Sequence, residues 1–178
     1  MTDLEIIRQI EKELNVKLKK LDEMESDCKG YILNPSGQLT GLGLYSCKIG
    51  NLNRIISPLS ALTNLTRLDL SDNQLSDTSL LSALTNLTQL DLISNKLRDI
   101  SPLSALTNLT QLNLSSNQVS DVSPISALTN LTQLYLNSNQ LRNISLLSGL
   151  TNLTQLSLIS NQVSDISPLS ALTNLTRL

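Results

Sequence analysis

From residue 57 onward the apolar positions of this chain return on a fixed schedule. The stretch SALTNLTQL begins at Ser82 and recurs unchanged at Ser104 and Ser126, with near-copies at Ser60, Ser148 and Ser170. Five full units of 22 residues run 57–78, 79–100, 101–122, 123–144 and 145–166, and a sixth, opening at Ser167, reaches Leu178 after twelve residues. Two rhythms alternate within each unit. Leu68-x-Leu70 has the period of two that places both side chains on one face of a strand. Leu59, Leu62 and Leu65 fall three apart, the spacing of a short helical or 3₁₀ turn. Ser57-Pro58, Ser101-Pro102 and Ser167-Pro168 predict its start, with serine as the cap and proline in the first helical position. Each unit therefore reads as one coil, strand on one side and compact turn on the other. No coil can bury its leucines alone, so neighbours must cover one another, their strands pairing in parallel about 4.8 Å apart.

The polar positions are as regular. Asn73, Asn95, Asn117, Asn139 and Asn161 follow the strands, where the bending chain leaves backbone groups without ladder partners. An amide offers donors and an acceptor, so this column reads as internal. Asp77, Asp99, Asp121 and Asp165, interrupted by Asn143, precede the next turn, whose exposed N–H groups favour a carboxylate. Stacked carboxylates also suit a hard cation such as Ca²⁺. The second column that completes such a site is missing, so no metal is expected. Asn64, Asn86, Asn108, Asn130, Asn152 and Asn174 open Asn-Leu-Thr sequons, and Asn143 opens another with Ile144 and Ser145. They match a glycosylation acceptor but read as by-products of copying one repeat.

Residues 1–56 break the rhythm. Thr2 and Glu5 have the spacing of a capping box, and Leu4, Ile7, Ile10 and Leu14 form one apolar face, which predicts a helix. Tyr31–Leu33, a turn at Asn34-Pro35-Ser36-Gly37 and a second apolar run predict a hairpin. The second run is a degenerate repeat: Leu39, Leu42, Leu44, Cys47 and Ile49 take the diagnostic positions, with Cys47 where later units have Asn. The expected organisation is a cap over 1–38, its helix covering the end of the core and its extra strand the edge of the sheet. An array follows over 39–178, comprising a degenerate repeat at 39–56, full repeats at 57–166 and a truncated one at 167–178. Leu178 falls mid-strand, which predicts a fragment of a longer protein.

Composition narrows the function. The 178 residues include 13 basic and 15 acidic side chains, a net charge of −2, with three Tyr and no Phe, Trp or His. With neither a basic excess nor stacking platforms, nucleic acid is not an expected partner. No Ser can find a His partner, no paired carboxylates recur outside the repeat pattern, and no P-loop is visible. Catalysis, a cofactor and a small-molecule substrate are therefore not expected. Cys28 and Cys47 lie outside any metal-ligand spacing; a disulfide between them is an alternative to two reduced thiols, which is the reading adopted. The opening MTDLEIIRQIEKEL breaks its apolar residues with charges, and no signal-peptide or membrane-spanning run is found. A soluble, cytoplasmic protein with no membrane partner is predicted.

The pattern L-x-x-L-x-L-x-x-N-x-L/V recurs in five consecutive units, as Leu65, Leu68, Leu70, Asn73 and Leu75, and again as Leu109, Leu112, Leu114, Asn117 and Val119. It is the leucine-rich repeat signature. With its 22-residue period, the stretch 39–178 resembles the internalin and phosphatase-regulator class of these repeats. The helix and hairpin at the start resemble bacterial leucine-rich-repeat proteins, including some Roco-type GTPases. The resemblance implies an α/β solenoid: one parallel β-sheet on the concave side, short helical or 3₁₀ turns on the convex side, and an N-terminal helix plus β-hairpin cap. It also implies binding of another protein on the concave sheet. Internalins are exported, and the opening of this chain departs from them.

The candidate binding residues flank the two leucines of each strand. They are Arg67, Asp69 and Ser71; Gln89, Asp91 and Ile93; Gln111, Asn113 and Ser115; Gln133, Tyr135 and Asn137; and Gln155, Ser157 and Ile159. This face is polar and nearly neutral, with Tyr135 its only aromatic. Its expected role is a non-catalytic protein-interaction module, monomeric where its C-terminal end is capped. The alternative is the sensor arm of a larger regulatory enzyme, such as a Roco-type GTPase, with its chemistry beyond Leu178. The same residues also read as solvated filler kept by duplication. Five-residue strands give a face of roughly 500 Å², short of the ~800 Å² per partner of a standard interface.

Overall fold

The computed structural model describes residues 1–24 and 27–178. Its first element is α1 (Asp3–Leu14), closed at its start by the capping box: Thr2 Oγ1 accepts from Glu5 N and Glu5 Oε2 from Thr2 N. Asn15, in the left-handed region at φ 52°, ends it. The buried face is Ile6, Ile7 and Ile10. The sequence reading had placed Leu4 on that face, but Leu4 is 40% exposed and Ile6 packs inward in its stead. Both registers are compatible with a helical period. The choice is made by docking: Asp3 Oδ2 accepts from Leu39 N at 2.6 Å, fixing how the first turn meets the sheet.

Among the described residues eight strands form one sheet in chain order: β1 (Lys19–Lys20), β2 (Lys29–Leu33), β3 (Leu39–Leu44), β4 (Arg67–Asp69), β5 (Gln89–Asp91), β6 (Gln111–Asn113), β7 (Gln133–Tyr135) and β8 (Gln155–Ser157). β2 and β3 are the predicted antiparallel hairpin, closed by Gly37 N donating to Asn34 O at 2.9 Å, and every later pairing is parallel. β1, which no apolar alternation announces, pairs with β2 in parallel and covers the hairpin's outer edge.

Opposite the strands the chain turns through α2 (Ile56–Ser60) and then five 3₁₀ turns, Ser79–Ala83, Ser101–Ala105, Ser123–Ala127, Ser145–Gly149 and Ser167–Ala171. Serine is not their cap. The cap positions are Thr78, Ile100, Val122, Ile144 and Ile166, none with a side-chain cap bond, and each serine lies inside the turn with an orphan N–H. The residue two places upstream satisfies it: Oδ1 of Asp77, Asp99, Asp121, Asn143 and Asp165 accepts from Ser79, Ser101, Ser123, Ser145 and Ser167 N at 2.8–2.9 Å. Between sheet and turns runs one continuous core of leucine and isoleucine.

Three side-chain ladders run along the coils. Asn117 Oδ1 accepts from Leu97 N at 3.1 Å, and its Nδ2 lies 2.9–3.2 Å from the carbonyls of Leu92, Leu114 and Ser115. Asn73, Asn95, Asn139 and Asn161 make the equivalent bonds. At the degenerate repeat Cys47 is a buried thiol whose Sγ lies 3.5 Å from Tyr45 O, and burial pushes its pKa up. Each is preceded by a left-handed residue, Ser116 at φ 57° in the third full unit, and the amide holds that strained bend closed. In the second ladder Thr110 Oγ1 donates to Thr88 O at 3.1 Å, one repeat back. The third belongs to the sequon asparagines: Asn86, Asn108, Asn130, Asn152 and Asn174 Nδ2 each donate to the threonine carbonyl 23 residues earlier, at 2.9 Å. The repetition of TNLTQL thus reflects inter-coil bonding as well as copying.

Candidate partner-binding face

Parallel pairing without slippage stacks the candidate residues into columns. Gly41, Arg67, Gln89, Gln111, Gln133 and Gln155 form the first, and Gly43, Asp69, Asp91, Asn113, Tyr135 and Ser157 the second. Ser71, Ile93, Ser115, Asn137 and Ile159 follow just beyond the strands. The candidates therefore do assemble on one face, but unequally. Ser71 and Ser115 are buried, Asp69 is only 8% exposed, and Ile159 is 69% exposed. The sequence reading treated all of them as outward-facing. Buried Ser71 and Ser115 leave little surface for a partner, because each sits where the chain folds inward after its strand.

The second column also ends the strands. Oδ1 of Asp69, Asp91 and Asn113 accepts from Ser71, Ile93 and Ser115 N at 2.8, 3.0 and 3.1 Å, a local turn that draws the carboxyl against the backbone. Asn137 Oδ1 instead accepts from Ile159 N, 2.9 Å away on the next coil. Tyr135 lays its phenol across β7 and β8, the oxygen 3.2 Å from Gln133 Oε1 and 2.7 Å from Gln155 Oε1.

At β4–β6 the face deepens into a cavity of about 210 Å³ lined by Arg67, Asp69, Gln89, Asp91, Asn113 and Tyr135, with Met24 as one wall. The glycines show how that wall is built. A Cβ on Gly41 would lie 2.9 Å from Met24 Cε, and one on Gly43 2.6 Å from Cys28 Sγ. Met24 and Cys28 therefore lie against the face at β3, and Met24 closes the groove at its N-terminal end. Cys28 Sγ donates to Met24 Sδ at 3.1 Å. Sequence reasoning missed Met24 altogether; the two glycines of TGLGL were the only trace of so close an approach.

Charge gathers in this groove. Burial pushes the Asp69 carboxyl above the usual range against the lowering effect of the Ser71 bonds, and nearby Asp27 adds to the rise. Asp91 is raised for the same first reason, opposed by the Ile93 and Ser71 bonds and reinforced by Asp69 and Asp27. The face is thus not evenly neutral: its acidic side chains and Arg67 all stand on β4 and β5, and its residues on and just after β6, β7 and β8 carry no charge. The three-residue strands β4–β8 also make it narrower than expected, about 19 Å by about 10 Å, on the order of 200 Å². Among the described residues no three His, Cys, Asp or Glu side chains converge to hold a metal ion.

The sequence matches the family model for leucine rich repeats (two copies) over residues 63–105, 107–150 and 129–171. The chain belongs to the leucine-rich repeat family. Within that family it is internalin-like: internalin C2 of Listeria monocytogenes is 35% identical, with a TM-score of 0.68 over 84% of this chain and 68% of that one. The leucine-rich repeat fold is shared with the receptor kinase HAESA of Arabidopsis, solved in complex with the peptide hormone IDA and the co-receptor SERK1, at 25% identity and a TM-score of 0.75 over 99% of this chain and 33% of that one. A leucine-rich repeat protein of Leptospira interrogans matches at 25% identity, TM-score 0.74, over 90% of this chain and 42% of that one. Comparison with curated protein sequences gives no match. Among the described residues no helix is long and apolar enough to cross a membrane.

Proposed function

We propose that this leucine-rich repeat chain is a non-catalytic protein-interaction module that takes its partner on the concave sheet face, across β4–β8. One observation carries the reading. Within TNLTQL nearly every residue is committed to the core or to an inter-coil ladder, whereas the second column changes from coil to coil, Asp69, Asp91, Asn113, Tyr135 and Ser157. Side chains that vary independently of the repeated frame are the ones that can be fitted to a partner. The narrow face favours an extended segment over a broad globular surface, and the peptide complex of HAESA offers a parallel on a related fold.

Tyr135 is the expected anchor, since its ring adds apolar area at small entropic loss and its hydroxyl is already hydrogen-bonded. Substituting Tyr135 and Ile93 together with Ala should weaken a partner captured by the immobilised chain roughly tenfold or more, a hot-spot effect. The unfolding midpoint should hardly move. Full binding by that double variant moves the interface to the loops or the convex side.

A further inference from the structure

Ser71 Oγ lies at hydrogen-bond distance from Oδ1 of both Asp69 and Asp91, 2.8 Å in the second case. A hydroxyl has one hydrogen, so it serves one carboxylate at a time. Both Oδ1 atoms are also occupied by backbone N–H groups, and among the described residues no donor is bonded to either Oδ2. Neither Oδ2 is sealed away from solvent, although Asp69 is more than nine-tenths buried, and both side chains line the cavity. The neighbouring cation does not neutralise them. Arg67 Nη2 points instead to Met24 O at 3.5 Å, and no ion pair joins either carboxylate among the described residues. Two carboxylates on adjacent strands, Asp69 buried and Asp91 partly so, short of one positive charge, are complementary to a cation delivered from outside.

We propose that this groove is the socket for a single basic side chain, lysine or arginine, carried on an extended segment of the protein partner, with Asp69 and Asp91 as its counter-ions. The proposal rests on the sheet being the binding face and names what it selects. A cavity of about 210 Å³ has room for one long side chain. Gln89 and Asn113 add polar partners and Tyr135 closes the far side. The charged and titratable groups around the pair are Asp27 ahead of β2, Tyr45 and Cys47 just after β3, Arg67 on β4 and the Tyr135 phenol on β7. Because burial favours the protonated carboxyls, a bound cation displaces a proton. Affinity should therefore rise as pH climbs through the acid range and level off once the pair is ionised.

The test is an NMR titration of the ¹⁵N-labelled chain with the peptide acetyl-Thr-Val-Lys-Val-Thr-amide, its acetyl-lysine counterpart and its glutamate counterpart. The lysine peptide should shift the amides of Asp69, Ser71, Asp91 and Ile93, and more so at neutral than at mildly acid pH. The other two peptides should leave them still. Asp69→Asn with Asp91→Asn keeps the Oδ1 acceptors and should weaken the lysine peptide roughly tenfold or more, the scale of a lost charge-assisted bond. Equal binding of the acetyl-lysine peptide, no shift at these amides with millimolar lysine peptide, or undiminished binding by the double variant overturns the socket. A partner lost by the Tyr135/Ile93 variant yet kept by the Asp69/Asp91 variant refutes the socket alone and leaves the binding face standing.

Discussion

Asn117 shows how one side chain holds a coil shut. Its oxygen accepts from Leu97 N, its Nδ2 lies among three carbonyls, and it is 8% exposed. Alanine there leaves several buried backbone groups unpaired at a bend already strained by Ser116 in the left-handed region. The expected loss for Asn117→Ala is about 1–3 kcal/mol, read from a urea midpoint that falls with an unchanged slope. Partner affinity should not change, because the amide does not reach the face. An unchanged midpoint would show the column to be dispensable. Asn117→Asp should recover only the Leu97 bond, since a carboxylate can accept but not donate.

At the scale of elements, α1, β1 and β2 together dress the first coil, and we propose that they act as one cap. Ile6, Ile7 and Ile10 close the end of the core, β2 pairs along β3, and Asp3 ties the helix to Leu39. Deleting residues 1–36 bares the β3 edge and the leucines of the first coil at once. Aggregation or loss of cooperative unfolding should follow, visible by size-exclusion chromatography and denaturation. A truncated chain that stays monomeric with the same midpoint would mean that the array terminates itself. The deletion also removes Met24 and Cys28 from the face, so any soluble fraction should show Asp69 and Asp91 titrating closer to the ordinary carboxylate range.

For the whole molecule the two acidic columns pull stability in opposite directions with pH. Asp99, Asp121 and Asp165 are held below the usual range by hydrogen bonds from Ser101, Ser123 and Ser167. Their contribution is present at neutral pH and lost as pH falls through those lowered values. Asp69 and Asp91 are raised by burial, so the folded state holds more protons than the unfolded one between the ordinary and the raised values. Their contribution is favourable in acid and is lost as pH rises through that window. Asp69→Asn with Asp91→Asn should accordingly be more stable than the parent chain at neutral pH, the difference vanishing in acid. Denaturation midpoints across that range check it; a variant less stable at every pH would show the ionised pair to be stabilising.

The solenoid, its 22-residue coils and the Asn column were legible in the sequence because each rests on contacts between a coil and its neighbour. Such contacts recur with every repeat, so the chain states each of them several times. The face was legible to the same degree: period two puts Arg67, Asp69 and their counterparts opposite the leucines, and parallel pairing stacks them. What lay beyond the repeat needed the tertiary structure. Whether Leu4 or Ile6 turns inward depends on where Asp3 meets Leu39, a contact made once and across 36 residues. The burial of Asp69 and the walled groove depend on Met24 and Cys28 lying over Gly41 and Gly43. No periodicity encodes that approach, because it joins a non-repeating segment to a single coil. The repeat fixed which side chains share a face, and the one-off packing of the N-terminal segment decided which of those side chains stay in water.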